Sequence, residues 1–141
     1  FITPHVVKEI EGEPMDSVFS EKRYTKVDKS HYDEVAQGMR MAVLGGTCRT
    51  ANMPDIEICG KTGTAQNHGK DHSAFMGFAP LNNPKIAVAV YVENGGWGAT
   101  YGVPIGKLII EKYIKGKLSP DDEALATDIQ TRRIDYGIHE R

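Results

Sequence analysis

The sequence predicts an α+β fold: an antiparallel sheet of three main strands with helices packed on it. Three observations carry that prediction. Strand-like runs at Ile56 to Thr64, Ser73 to Ala79 and Lys85 to Val92 follow one another with only short polar links between them. Such links suit antiparallel neighbours, whereas parallel strands need a long crossover. Helical apolar patterns stand before and after this block. Finally, the chain has 141 residues, 40% of them hydrophobic and 26% charged. That is an ordinary one-domain balance, and the length can bury a core without staples.

The elements follow in order. His5-Val6-Val7-Lys8-Glu9-Ile10 reads as a short strand ended by Gly12 and Pro14. The polar stretch 13–30 leaves room for another at Arg23 to Val27. Ser30-His31-Tyr32-Asp33 has the form of a capping box, in which a hydroxyl and an acid three residues on satisfy orphan amides. Val35, Met39 and Val43 then recur at helical spacing, with Tyr32, Ala36 and Ala42 widening the stripe, and Gly45-Gly46 stops the helix. Leu81-Asn82-Asn83-Pro84 joins the second and third strands as a hairpin, and the polar run Gln66 to His72 lets the first and second pair. A second helix starts near Pro104, with Ile105, Leu108, Ile109 and Tyr113 as its apolar face and Gly116 as its end. Ser119-Pro120-Asp121-Asp122 can open one more short helix, and Thr131 to Arg141 reads as frayed. The five Met residues read as core filler.

Several function classes drop out. Seventeen basic and nineteen acidic residues give a net charge of −2, so there is no clustered positive charge for phosphates. Nucleic acid is therefore not an expected partner. The longest aliphatic run, Ile86 to Val92, is about a third of what a membrane helix needs. Cys48 and Cys59 lie eleven apart with no Cys-x-x-Cys, and the five histidines are scattered. No metal site or cofactor is expected. An oxidising compartment would allow one disulfide; two small semi-buried thiols is the plainer reading.

Gly60-Lys61-Thr62-Gly63-Thr64 is the most informative string. As the end of a phosphate loop it would need Gly at position 55, where Asp55 stands, and a helix directly after Thr62, which Gly63 and the polar run after Gln66 argue against. The alternative is the Lys-Thr-Gly element of serine acyl-transferases that bind β-lactams. On an edge strand, alternation sends Thr62 and Thr64 to one side and Lys61 to the other. Hydroxyls and an ammonium bordering a cleft suit a substrate carboxylate, Gly63 lets a ligand backbone approach, and the Thr64 amide can serve an oxyanion hole.

The flanking residues extend the pattern. His72-Ser73-Ala74-Phe75, Gly77-Phe78-Ala79-Pro80, Asn83-Pro84-Lys85-Ile86 and Val92-Glu93-Asn94-Gly95-Gly96 follow it, and Thr3-Pro4-His5, Gln37-Gly38-Met39-Arg40 and Gly46-Thr47 precede it. This order and spacing resemble the C-terminal part of the transpeptidase domain of class B penicillin-binding proteins. Glu93-Asn94-Gly95-Gly96 and Val103-Pro104-Ile105-Gly106-Lys107 resemble the elongation type, penicillin-binding protein 2. The resemblance covers residues 1–116, leaving 117–141 as a tail, partly helical or disordered.

The resemblance implies a partial serine β-lactamase/transpeptidase-like fold and a D,D-transpeptidase that cross-links peptidoglycan stem peptides ending in D-Ala-D-Ala and is acylated by β-lactams. It implies catalytic roles for Lys61 and Thr64 and substrate binding by Thr62, Gly63 and Thr64. It also implies a membrane-anchored parent on the periplasmic face of the inner membrane, this piece itself being soluble, with elongation-machinery partners. A non-catalytic interaction module and a serine β-lactamase fragment are the alternatives. Gly77-Phe78-Ala79-Pro80 with Glu93-Asn94-Gly95-Gly96 fits the synthase better than the β-lactamase.

Two of the family's three site elements have no match. Three places after Ser17, Ser20, Ser30, Ser73 and Ser119 stand Ser20, Arg23, Asp33, Met76 and Asp122; none is Lys. Two places after each stand Phe19, Lys22, Tyr32, Phe75 and Asp121; none is Asn. The chain opens on Phe1 rather than Met, so the expectation is a piece of something longer, inert alone because acyl transfer needs an activated nucleophile. By the same resemblance two strands beyond the third run are missing, which would leave an apolar edge prone to dimerise. Gln66, Asn67 and His68 read as exposed loop, His72 as a packing or capping residue, and Trp97 as half-buried packing.

Overall fold

The computed structural model describes residues 1–134 and Tyr136, except Lys8 and Pro14. The chain divides into two compact units, 1–31 and 32–141. In the first, Asp16 caps a single 3-10 turn at Ser17–Phe19, its carboxylate accepting from the Val18 amide at 2.9 Å. The Arg23 amide donates to the Phe1 carbonyl at 2.7 Å. The strands expected at His5 to Ile10 and Arg23 to Val27 are not formed among the described residues. Only an isolated bridge joins Ile10 and Glu13 around Gly12. A strand needs a neighbour to satisfy its backbone groups, and here Val6, Val7 and Ile10 stay exposed.

The second unit carries the fold. Helix α1 spans Lys29–Leu44, two residues earlier than a Ser30 cap implies, so Ser30 lies inside its first turn instead of capping it. Its expected apolar stripe is covered toward the C-terminal end: Val43 is buried and Ala36, Met39 and Ala42 are partly buried, whereas Tyr32 and Val35 are exposed. Strands β1 (Cys59–Ala65), β2 (His72–Ala79) and β3 (Ile86–Val92) form an antiparallel meander in the order β1-β2-β3. Phe75 of β2 faces Thr62 on one side and Val90 on the other. The expected first strand loses its beginning, because Ile58 turns back on the Ile56 carbonyl at 2.8 Å. Both isoleucines are nevertheless buried.

Helix α2 spans Gly102–Lys115 and ends at Gly116, whose φ of 75° lets its amide return to the Lys112 carbonyl. It buries Val103, Gly106 and Ile110 rather than the expected Ile105, Leu108, Ile109 and Tyr113 face. The cause is Phe75, which is 2% exposed. A Cβ on Gly60, Gly77 or Gly106 would overlap its ring. Three glycines from β1, β2 and α2 therefore make the socket, and the helix turns its smallest residue to the sheet. Buried Ser73 adds the helix cap, accepting from the Gly102 amide at 3.0 Å and donating to the Trp97 carbonyl at 2.8 Å.

Helix α3 spans Pro120–Thr131, so the tail's expected helix is present; its expected fraying falls largely outside the described residues. Lys107 of α2 holds buried Asp122 at 2.6 Å, and Lys115 bridges buried Glu111 and Asp55. Arg132 bonds the Thr100 carbonyl and stacks over Tyr101. Of the five methionines only Met53 is buried; Met41 and Met76 are exposed, against the core-filler reading. Cys48 and Cys59 are free and fully buried, and burial pushes the Cys59 thiol up.

Candidate active site

Strand β1 is an outer strand, so one side of its backbone is open. Its register places Lys61 opposite Met76 and Gly63 opposite Ala74 on the face away from α2. Thr62 and Thr64 fall opposite Phe75 and Ser73 on the other face, which is the alternation the sequence predicts. An edge strand lets side chains from both faces reach a ligand laid along it, which a central strand does not. The exposed Lys61 ammonium donates to the Thr62 carbonyl at 2.9 Å. A groove of about 280 Å³ runs beside it, lined by Lys61, Gly63, Ala74, Met76, Ala89 and Tyr91 among others.

The two kinds of glycine in this strand differ. Gly60 is demanded by the Phe75 ring. Gly63 is not demanded by anything in the fold: its φ is not positive, and a Cβ there would meet only the Ala74 methyl at 3.4 Å, an ordinary contact.

The structure adds one residue to the site. Thr47, in the turn after α1, places its hydroxyl 2.8 Å from that of Thr62. The pair Gly46-Thr47 enters the sequence reading only as part of a longer pattern. No local rule pairs residues fifteen apart in a turn and a strand. Gln66, Asn67 and His68 are exposed as expected, and the Asn67 amide donates to the Asn94 side chain at 3.1 Å. His72 accepts from the Asn94 amide at 3.0 Å, a capping role. Trp97 departs from the half-buried expectation: its side chain is 75% exposed, while its backbone is pinned by Ser73. Among the described residues no group of three or more His, Cys, Asp or Glu could hold a metal, and no helix is long and apolar enough to cross a membrane.

Residues 1–111 match the model of the penicillin-binding protein transpeptidase domain. The chain is 34% identical to the peptidoglycan D,D-transpeptidase MrdA of Acinetobacter baumannii, covering 96% of this chain and 24% of that one. Among solved structures, penicillin-binding protein 2 of Pseudomonas aeruginosa aligns with a TM-score of 0.63 at 38% identity, over 84% of this chain and 27% of that one. Penicillin-binding protein A of Mycobacterium tuberculosis, solved as a ceftriaxone acyl-enzyme complex, aligns with a TM-score of 0.55 at 33% identity, over 60% of this chain and 21% of that one. The resemblance to penicillin-binding protein 2 read from the sequence is borne out by these neighbours. The chain spans about a quarter of the length of the curated transpeptidases it matches.

Proposed function

The chain belongs to the penicillin-binding protein transpeptidase family, and we propose that it supplies the substrate-binding edge of an elongation-type peptidoglycan D,D-transpeptidase. The observation that carries this reading is Gly63. A glycine that the fold does not need sits between Thr62 and Thr64 on an open edge, beside the groove that Lys61 borders. A residue kept free of a side chain for no internal reason suits the close approach of a ligand backbone.

The roles follow from chemistry. The Lys61 ammonium supplies positive potential for a D-Ala carboxylate and for a serine nucleophile. The Thr62 and Thr64 hydroxyls bond that carboxylate. The Thr64 amide donates to the oxyanion formed when serine attacks the penultimate D-Ala carbonyl. Collapse of that intermediate breaks the peptide bond and releases terminal D-Ala. A neighbouring stem peptide's amine then takes the acyl group and frees the serine. β-Lactams enter by the same route, and the opened ring stays on the serine.

The serine and its base are not among these 141 residues, since no Ser is followed by Lys at the third place. Residues 1–116 form the transpeptidase part in this reading and 117–141 an appended tail. The parent acts on the periplasmic face of the inner membrane with elongation-machinery proteins. The unpaired β3 edge makes the isolated chain prone to dimerise.

Fluorescent penicillin provides the test. The full-length protein is expected to label covalently and the 141-residue chain not at all. Stable labelling of the chain alone would overturn the claim that its nucleophile lies elsewhere, and failure of the full-length protein to label would overturn the function.

A further inference from the structure

Thr47 is held in place by the turn that ends α1. The amides of Gly46 and Cys48 both return to the Ala42 carbonyl, at 3.1 and 3.0 Å. Cys48 is fully buried, and a Cβ on Gly46 would lie 2.9 Å from the Ala42 backbone. The residue between them is thus fixed beside β1, with its Oγ1 2.8 Å from Thr62 Oγ1.

Each hydroxyl offers one donor and two acceptor sites, and only one of the two can donate across this contact. If Thr62 donates to Thr47, its proton is spent and it offers an arriving carboxylate only lone pairs, which repel. If Thr47 donates to Thr62, the Thr62 proton is free. It is also polarised by the bond Thr62 accepts, because hydrogen bonds in a chain strengthen one another. A carboxylate is acceptor-only, so its arrival selects the second arrangement.

We infer that Thr47 is a positioning residue for carboxylate recognition: its hydroxyl donates to Thr62 and thereby aims the Thr62 proton at the ligand's carboxylate. This rests on the proposed reading of Thr62 as a carboxylate ligand. Thr47 itself touches no reacting atom in this arrangement. Its effect is therefore larger for a ligand that carries the negative charge, because a hydrogen bond to a carboxylate is stronger than one to a neutral carbonyl.

The experiment uses the full-length protein, with benzylpenicillin and its methyl ester as probes. Thr47→Val keeps the shape and removes the hydroxyl. It is expected to slow acylation by benzylpenicillin about threefold to tenfold, the worth of one hydrogen bond. The ester's rate should fall by a clearly smaller factor, the melting temperature should not change, and Thr47→Ser should restore the penicillin rate. Thr62→Val should lower the penicillin rate at least as far. If Thr47→Val acts like wild type while Thr62→Val is impaired, the positioning role is wrong and the proposed function stands. If Thr47→Val slows both probes equally, the residue is merely structural and the inference falls. If Thr62→Val also leaves the preference for the charged probe intact, both readings fall.

Discussion

β1 and β3 are the two outer strands of one small sheet, hydrogen-bonded to the same central strand, yet they present different chemistry to whatever lies beyond. Along β1 run Lys61, Thr62, Gly63 and Thr64: one charge, two hydroxyls and a gap. Along β3 run Ile86, Ala87, Val88, Ala89, Val90, Tyr91 and Val92, with no polar group except the tyrosine hydroxyl. The open backbone is equivalent in the two, since any outer strand leaves N–H and C=O groups unpaired. The side chains decide what can use it. A short, polar, gapped edge suits a peptide end and, in the proposed reading, its carboxylate. A β-branched apolar edge suits another strand.

Phe75 connects the two edges, so its removal should disturb both. Phe75→Ala empties the socket made by Gly60, Gly77 and Gly106, and a buried Phe→Ala change costs about 3–5 kcal/mol. Denaturant unfolding of the full-length protein should show that loss, with penicillin labelling falling in parallel. Lys61→Ala should separate the edges instead. Its side chain is exposed and, among the described residues, bonds only the adjacent Thr62 carbonyl, so the melting temperature should hold. The acylation rate should drop about 10²- to 10³-fold, the usual cost of removing an electrostatic group aimed at a reacting centre. Unchanged acylation would mean that β1 is not the binding edge.

The difference between the edges was legible in the sequence because each property is contiguous along one strand. Lys61 to Thr64 and Ile86 to Val92 can be read off directly, and glycines and prolines mark where the elements stop. What stayed hidden depends on a partner. His5 to Ile10 has a strand's composition, but nothing in the sequence says whether a neighbour is there to pair with it. The buried face of α2 was misread because Gly106 counts for nothing in an apolar stripe, although it is the residue that meets Phe75. Thr47 was missed as a site residue because its partner lies in another element.

A control away from both edges is available at α3. Burial raises the Asp122 carboxyl, but hydrogen bonding to Lys107, Glu111 and Ser119 and the charge of Lys107 outweigh it, leaving the group below its ordinary 3.8. A folded value below the unfolded one means that the stabilisation is present above the unfolded value and is lost as pH falls through the folded one. Amide protection in α3, measured relative to the intrinsic exchange rate at each pH, should therefore fall on acidification below about pH 4. Asp122→Asn should remove that acid step and weaken α3 at neutral pH by about 1.5–3 kcal/mol, the worth of a charged hydrogen bond. Penicillin labelling of the full-length protein should not follow it; if it does, the β1 edge is not independent of the tail.

A substitution of small expected effect on stability bears on the β3 edge. Ala89 is exposed on the open face, opposite Met76 in register. Ala89→Lys should alter stability by no more than about 0.5 kcal/mol, as exposed substitutions usually do. Its effect on association should be much larger, because a charge on an outer strand must be desolvated when a second strand docks. Light scattering of the isolated chain at high concentration should show dimers that the variant lacks. A clean monomer before substitution would mean that β3, although apolar, does not pair by itself. Equal association of both proteins would move the contact elsewhere, the open face around Met76 and Tyr91 being the next apolar surface of the same sheet. Either result would separate an edge that is merely unpaired from one whose side chains select a strand.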